Sequence, residues 1–157
     1  MTTALIRADI GPVSLLAPEE MTRHVVATHG HLWQWTGDGA ELYSLSVAVR
    51  ETRLGTPTGV RHHLSWEVDQ VLEGLAPAPV ERTVRSVPTL VDGSLGAAAT
   101  DVTGETHGAQ VRHRVLVSTE GEHMHVIRVV VPDTEEGREL ADRITASVRV
   151  LAWSMPA

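Results

Sequence analysis

The chain has 157 residues, a formal charge of −7, nine histidines, no cysteine and 13 cationic side chains, all of them arginine. A chain of this length buries roughly two-thirds of its unfolded surface, so one domain spanning residues 1–157 needs no covalent staple. The inventory excludes disulfides, thiolate metal sites, a cysteine nucleophile, a Schiff-base lysine and a P-loop lysine, and arginines scattered on an acidic chain lack the clustering that nucleic acids or anionic membranes require.

Ile6, Ala8 and Ile10 alternate with Arg7 and Asp9, Gly11-Pro12 turns, and Val13 to Leu16 resumes an extended pattern, which predicts an opening hairpin. Pro18-Glu19-Glu20-Met21 has the form of a short helical turn, since proline is tolerated at the first helical position. A strand from Val25 to Thr36 puts His31, Trp33 and Trp35 on one face and Leu32 and Gln34 on the other. Gly37-Asp38-Gly39 closes a turn, and Ala40 to Glu51 returns with Tyr43, Leu45, Val47 and Val49 on one face.

Arg53 to Gly59 reads as a loop. Beyond it Leu64, Val68, Val71, Leu72 and Leu75 recur at helical spacing, with Glu67, Asp69, Gln70 and Glu73 off that face, so a helix is expected over about Val60 to Leu75 and should lie across a sheet. Gly74 and the Ala-Pro-Ala-Pro after it end the helix. A strand follows Pro79. Leu95 to Thr103 is a strand of small residues whose alanines leave room for a helix to pack closely.

Residues Ala109 to Leu151 form the clearest stretch. A hairpin about Glu120-Gly121 pairs Thr119 with Glu122, Val117 with Met124 and His113 with Arg128. One face collects Val111, Val115, Val117, Met124, Val126 and Val130, and the other Arg112, Arg114, Leu116, His123, His125 and Ile127. With apolar residues on both faces, this hairpin belongs at the centre of a sheet. Asp133 and Glu136 have the spacing of a capping box, Leu140, Ala141, Ile144 and Val148 mark the buried face of the helix it opens, and Val148 to Leu151 closes as a short strand.

This order of elements, with three strands in succession from Gly93-Ser94 to Val131 and a closing helix that ends Ile144-Thr145-Ala146-Ser147-Val148-Arg149, resembles the PsbP-like superfamily, which takes in DcrB-like lipoproteins and a Ran-binding import factor. The resemblance implies an α+β fold: an antiparallel sheet of about six to eight strands packed against two main helices. It also implies partner binding with no shared catalytic residues. The lipoprotein signal and cysteine of the DcrB-like members have no counterpart here.

Trp33, Trp35, Tyr43 and Trp66 are the expected binding residues, because aromatic rings supply large contact area with a polar handle. Trp66 lies off the apolar helix face, and Trp153 in the tail is comparable. A histidine cluster of His113, His123 and His125 is the alternative, a metal-dependent hydrolase, and would require ligands converging at about 2.0–2.1 Å. A carrier of small apolar ligands built on Trp33 and Trp35 is a third reading. No Gly-x-Ser-x-Gly occurs, Asp101 reads as a solvated turn residue, and Arg112, Arg114 and Arg128 are best explained by cross-strand ion pairs. The expectation is a cytoplasmic protein without a cofactor that binds another protein, a homodimer being one form, and neither nucleic acid nor membrane.

Overall fold

The computed structural model describes residues 4–27, 30–35, 42–75, 77 and 81–151. The opening hairpin is β1 (Leu5–Ile10) and β2 (Val13–Pro18), followed by β3 (Thr22–Ala27), β4 (Gly30–Gln34) and β5 (Ser44–Glu51). Helix α1 (Pro57–Glu73) leads to β6 (Thr83–Val87), β7 (Gly96–Thr106), β8 (Ala109–Thr119) and β9 (His123–Pro132), and α2 (Glu135–Ala146) to β10 (Arg149–Val150). The turn expected at Gly37-Asp38-Gly39 and the tail with Trp153 lie outside the described residues.

A seven-stranded sheet runs β3-β4-β5-β9-β8-β7-β6, and a three-stranded sheet runs β1-β2-β10. Neighbouring strands in both are antiparallel. Helix α1 packs over β7 and β8 on one face of the large sheet, while α2 lies against β9 and β2 on the other. Two cores result. One gathers Ile10, Val13, Leu15, Leu45, Leu116, Ile127 and Ile144 between the large sheet, the small sheet and α2. The other gathers Val60, Leu64, Val71, Val102, Val115 and Val117 beneath α1. The small-residue strand serves α1 as expected: a Cβ on Gly96 would lie 3.0 Å from the Pro57 Cα, so the backbones approach as only glycine allows.

The two helices begin alike. Thr56 accepts from the Gly59 amide at 3.0 Å and Thr134 from the Gly137 amide at 3.1 Å. The glycine three residues on is set by contact, because a Cβ there would lie 1.9 Å from the Leu54 carbonyl oxygen, or 2.1 Å from that of Pro132. The cap of α2 is therefore Thr134 and not Asp133, whose carboxylate instead meets Arg112 at 3.0 Å.

Other expectations are corrected. Pro18 to Met21 is a turn and not helical, and the single strand expected from Val25 is a hairpin, β3 and β4. Strand β3 is at the sheet's edge, with Arg23, His24, Val25 and Val26 all exposed, so no alternation marks it. The β8–β9 hairpin pairs Thr119 with Met124 and Val117 with Val126, two residues out from the expected register. A shift of two keeps every side chain on its face, so the face assignments stand although the partners change.

Candidate functional site

Trp33 on β4 pairs with Leu45 and is 4% exposed in the core between the sheets. The Arg23 guanidinium lies 5.2 Å from its ring centroid and donates through Nε to His31 Nδ1 at 2.7 Å, so the His31 proton sits on Nε2. Trp35 and Tyr43 stack with centroids 5.5 Å apart, half-buried against the same core. Burial, and then the charge of Glu136, raise the Tyr43 phenol above its ordinary range. Trp66 stands elsewhere: on α1, across the large sheet, 50% exposed, its ring centroid 5.7 Å from that of His63. The structure thus brings three of the four aromatic residues together and leaves Trp66 on the opposite face.

The histidines divide in the same way. On β8 and β9, paired residues share a face: His113 pairs with Val130, and Ser118 with His125. His113 therefore points to the α1 side and His123 and His125 to the other, so the expected metal triad is split by the sheet. Among the described residues no group of three or more histidine, aspartate or glutamate side chains could hold a metal ion.

His123 and His125 instead grip one carboxylate. Glu120 accepts from His123 Nδ1 at 2.5 Å through one oxygen and from His125 Nε2 through the other, and Ser118 Oγ lies 2.9 Å from His125 Nδ1. The protons balance if each imidazole is neutral and donates to Glu120 while Ser118 donates to His125. Burial alone would raise the Glu120 carboxyl, but the His123 hydrogen bond and the two imidazoles bring it below its usual range. Burial holds His125 below its own range despite Glu120. Serine, histidine and glutamate are connected here as in a nucleophilic relay. Ser118 and His125 are both 0% exposed, however, so no substrate reaches the hydroxyl and the relay fastens the hairpin tip.

Asp101, expected in solvent, is 4% exposed. It sits opposite Arg114 in the β7–β8 ladder, which binds it through Nε at 2.7 Å and Nη2 at 2.9 Å, and Arg112 reaches it at 2.5 Å. Burial would raise its carboxyl, yet the two guanidiniums bring it below the ordinary range. Arg114 also meets Asp142 of α2 at 2.5 Å. Cross-strand pairing thus accounts for Arg112 and Arg114, and the cluster docks α2.

A second polar cluster lies beside α1, and sequence reasoning missed it. Glu67, placed off the buried face, is 8% exposed and meets His63 Nε2 at 3.2 Å. Beneath it lie Arg128, whose Nη2 is 3.5 Å from His113 Nδ1, and His113 itself. Burial, and then Arg128, push the His113 pKa down to about 4, and burial lowers Arg128 against the opposing charge of Glu67. Arg128 Nε and His113 Nε2 have no hydrogen-bond partner among the described residues. The available signal was the spacing of His63 and Glu67, one helical turn apart.

This cluster borders an open surface. Leu32, Ser46 and Arg128 are ladder partners across β4, β5 and β9, so they share the α1 side of the sheet. Leu32, Ser44, Ser46 and Ala48 are only partly buried, and α1 packs chiefly over β7 and β8 rather than over these strands. The arrangement is a shallow floor of small residues walled on one side by α1, with Trp66 on the wall.

No family model matches the chain, and no curated protein matches it in sequence. Solved structures match in fold. The Ran-binding protein Mog1p of Saccharomyces cerevisiae is similar with a TM-score of 0.60 at 13% identity, over 96% of this chain and 97% of that one. PsbP of Synechocystis gives 0.57 at 14% identity, over 96% of this chain and 94% of that one. A protein of Bacteroides thetaiotaomicron gives 0.55 at 11% identity over 90% of this chain, which spans 47% of that protein's length. The fold is the PsbP-like α+β fold that the order of elements implied.

Proposed function

We propose that this chain, built on the PsbP-like fold, is a non-catalytic adaptor domain that binds another protein through the open sheet face beside α1, with Trp66 as its anchor. The observation that carries the reading is Trp66 itself, half exposed on a 17-residue helix whose opposite side is fixed in a core. An indole held on a rigid element contributes contact area at little entropic cost, which is why tryptophan is enriched among residues that dominate binding energy. Arg128, partly buried beside Glu67, places a cationic side chain at the border of this face, where a partner's carboxylates would meet it. The structural neighbour Mog1p is described as Ran-binding, so this fold carries protein recognition in at least one case. No metal or cofactor enters the reading.

The test compares the intact chain with Trp66→Ala in affinity capture at native salt, with size-exclusion chromatography to detect a second copy as the partner. Trp66 touches no core, so the variant should fold with the stability of the parent, within about 0.5 kcal/mol. It should lose a captured protein or its self-association. Equal recovery by both proteins would sink the proposal for this face.

A further inference from the structure

Strand β6 is the other edge of the large sheet, and it differs from β3 in what stands beside it. Its five residues are exposed or half-exposed, with Val84 52% exposed, and among the described residues its only ladder partner is β7. A groove of about 360 Å³ runs between this strand and the flank of α1, lined by Leu64, Ser65, Val68, Val84, Ser86 and Ala98. Arg61 lies at its α1 end. Arg82 precedes β6 and reaches the Leu72 carbonyl at 3.5 Å, near the other end of the helix. Arg85 is exposed on β6 itself, on the sheet face away from the groove, where its ladder partner is Asp101.

We infer that β6 and this groove receive an extended acidic and apolar segment of a partner protein, which adds as a further strand. The unpaired main chain of an edge strand is a template for such addition, and pockets for alternate side chains confer selectivity. The groove is floored by small and apolar side chains, so every second residue of the added strand places an apolar group beside Val84 and Ser86 at its mouth. Charge chooses the partner. In a chain of net charge −7, this strip carries three arginines, and among the described residues none of the three has a carboxylate partner. Among the described residues Arg61 and Arg82 contact neutral groups, the Thr58 hydroxyl and the Leu72 carbonyl. Charges on an edge strand ordinarily deter pairing, but a guard of a single sign deters only cationic strands. A second copy paired about the middle of β6 would set Arg85 opposite Arg85, a destabilising like-charge pair. The acidic side chains of such a strand lie on the sheet face of Arg85 and meet it there, while Arg61 and Arg82 flank the groove face and attract the segment through its net charge.

The inference deepens the adaptor reading by naming a second contact and its chemistry, and its test is independent of Trp66. The probes are labelled hexapeptides of alternating valine and glutamate, and the same peptide with lysine in place of glutamate, followed by fluorescence anisotropy. The glutamate peptide should bind in the micromolar range and weaken with added salt, and the lysine peptide should not bind. Amide exchange should slow at Thr83–Val87 when the glutamate peptide is present. Arg61→Glu with Arg85→Glu should weaken binding by roughly tenfold or more, as should Ser65→Trp, which fills the groove from an exposed helix position. Trp66→Ala should bind the peptide as the parent does, so loss of a captured protein in that variant bears only on the other surface. No binding up to about 1 mM, equal affinity for the two peptides, or binding without protection at β6 would overturn the inference. The peptide comparison uses the unaltered chain, so it stands even if a variant fails to fold.

Discussion

A histidine held neutral inside a protein ties stability to pH. His113 stands between Val102 of β7 and Val130 of β9 in the ladder, beside Arg128, which Glu67 of α1 opposes, and its pKa is pushed from an ordinary 6.5 to about 4. The folded state therefore refuses a proton that the unfolded chain accepts. Above about pH 6.5 neither state is protonated and the full stability is present. Between about 6.5 and about 4 the unfolded chain gains a proton and the folded one does not, so stability falls with pH. A shift of this size corresponds to at most about 3 kcal/mol at one site. His125, also lowered by burial, adds in the same direction as pH falls below its ordinary value, and Glu120 and Asp101, whose carboxyls lie below their ordinary ranges, extend the loss toward lower pH. Urea unfolding at steps from pH 7.5 to pH 4 should show this decline, and His113→Gln should flatten it by about half or more of the His113 share. An unchanged slope in that variant would show that His113 is not held neutral. The hairpin read from the sequence already sets His113 against Arg128, two residues out of register, but the burial that holds the imidazole neutral was not legible there. That burial depends on α1 closing over the sheet, which periodicity implies without saying which residues it covers.

At the scale of elements the sequence was more informative, and its errors have physical causes. Periodicity located α1, α2 and the β7–β8–β9 meander because each buries a face against a core, and burial is what writes a period into a sequence. It failed at β3, where both faces are exposed and no period is imposed. The capping motif was placed one residue early. Asp133 and Glu136 have the favoured residue types, but the cap that forms is Thr134, with Gly137 at the third helical position, and α1 repeats the pattern with Thr56 and Gly59. In both, a glycine is required because the carbonyl of the preceding segment crowds that position, and this makes Thr-x-x-Gly the better signature here. Thr134→Ala should therefore cost about 1 kcal/mol and speed amide exchange at Gly137. Asp133→Ala, which removes an Arg112 contact, should leave the Gly137 amide protected. If both variants expose that amide equally, Asp133 shares the cap after all.

The large sheet carries a core on each of its faces, one shared with the small sheet and α2 and the other with α1, and this organisation decides where change is tolerated. Leu116 and Val115 are consecutive on β8 yet belong to different cores, so strand alternation alone assigns each residue to a side. The two cores have no apolar side chain in common, but both are closed by the same backbone ladder. Removal of Ile144 from one core, or of Leu64 from the other, should each cost about 2–5 kcal/mol as an alanine substitution. The two sites lie on opposite sides of the sheet with no shared partner, so their costs should add to within about 0.5 kcal/mol. Both variants should nevertheless unfold in one transition, because loss of either layer exposes a sheet that cannot stay in water on that face. Of the proposed contact residues, Trp66, Arg61 and Arg85 are exposed, which frees them to change at little cost to folding, whereas Leu64 and Val68 of the groove belong to the α1 core. Urea denaturation followed by far-ultraviolet circular dichroism and by tryptophan fluorescence, in Ile144→Ala, Leu64→Ala and the double variant, tests the arrangement. Coincident curves with additive costs are expected. Separate transitions, or a double variant that loses much less than the sum, would mean that one layer folds without the other and that the sheet does not couple them.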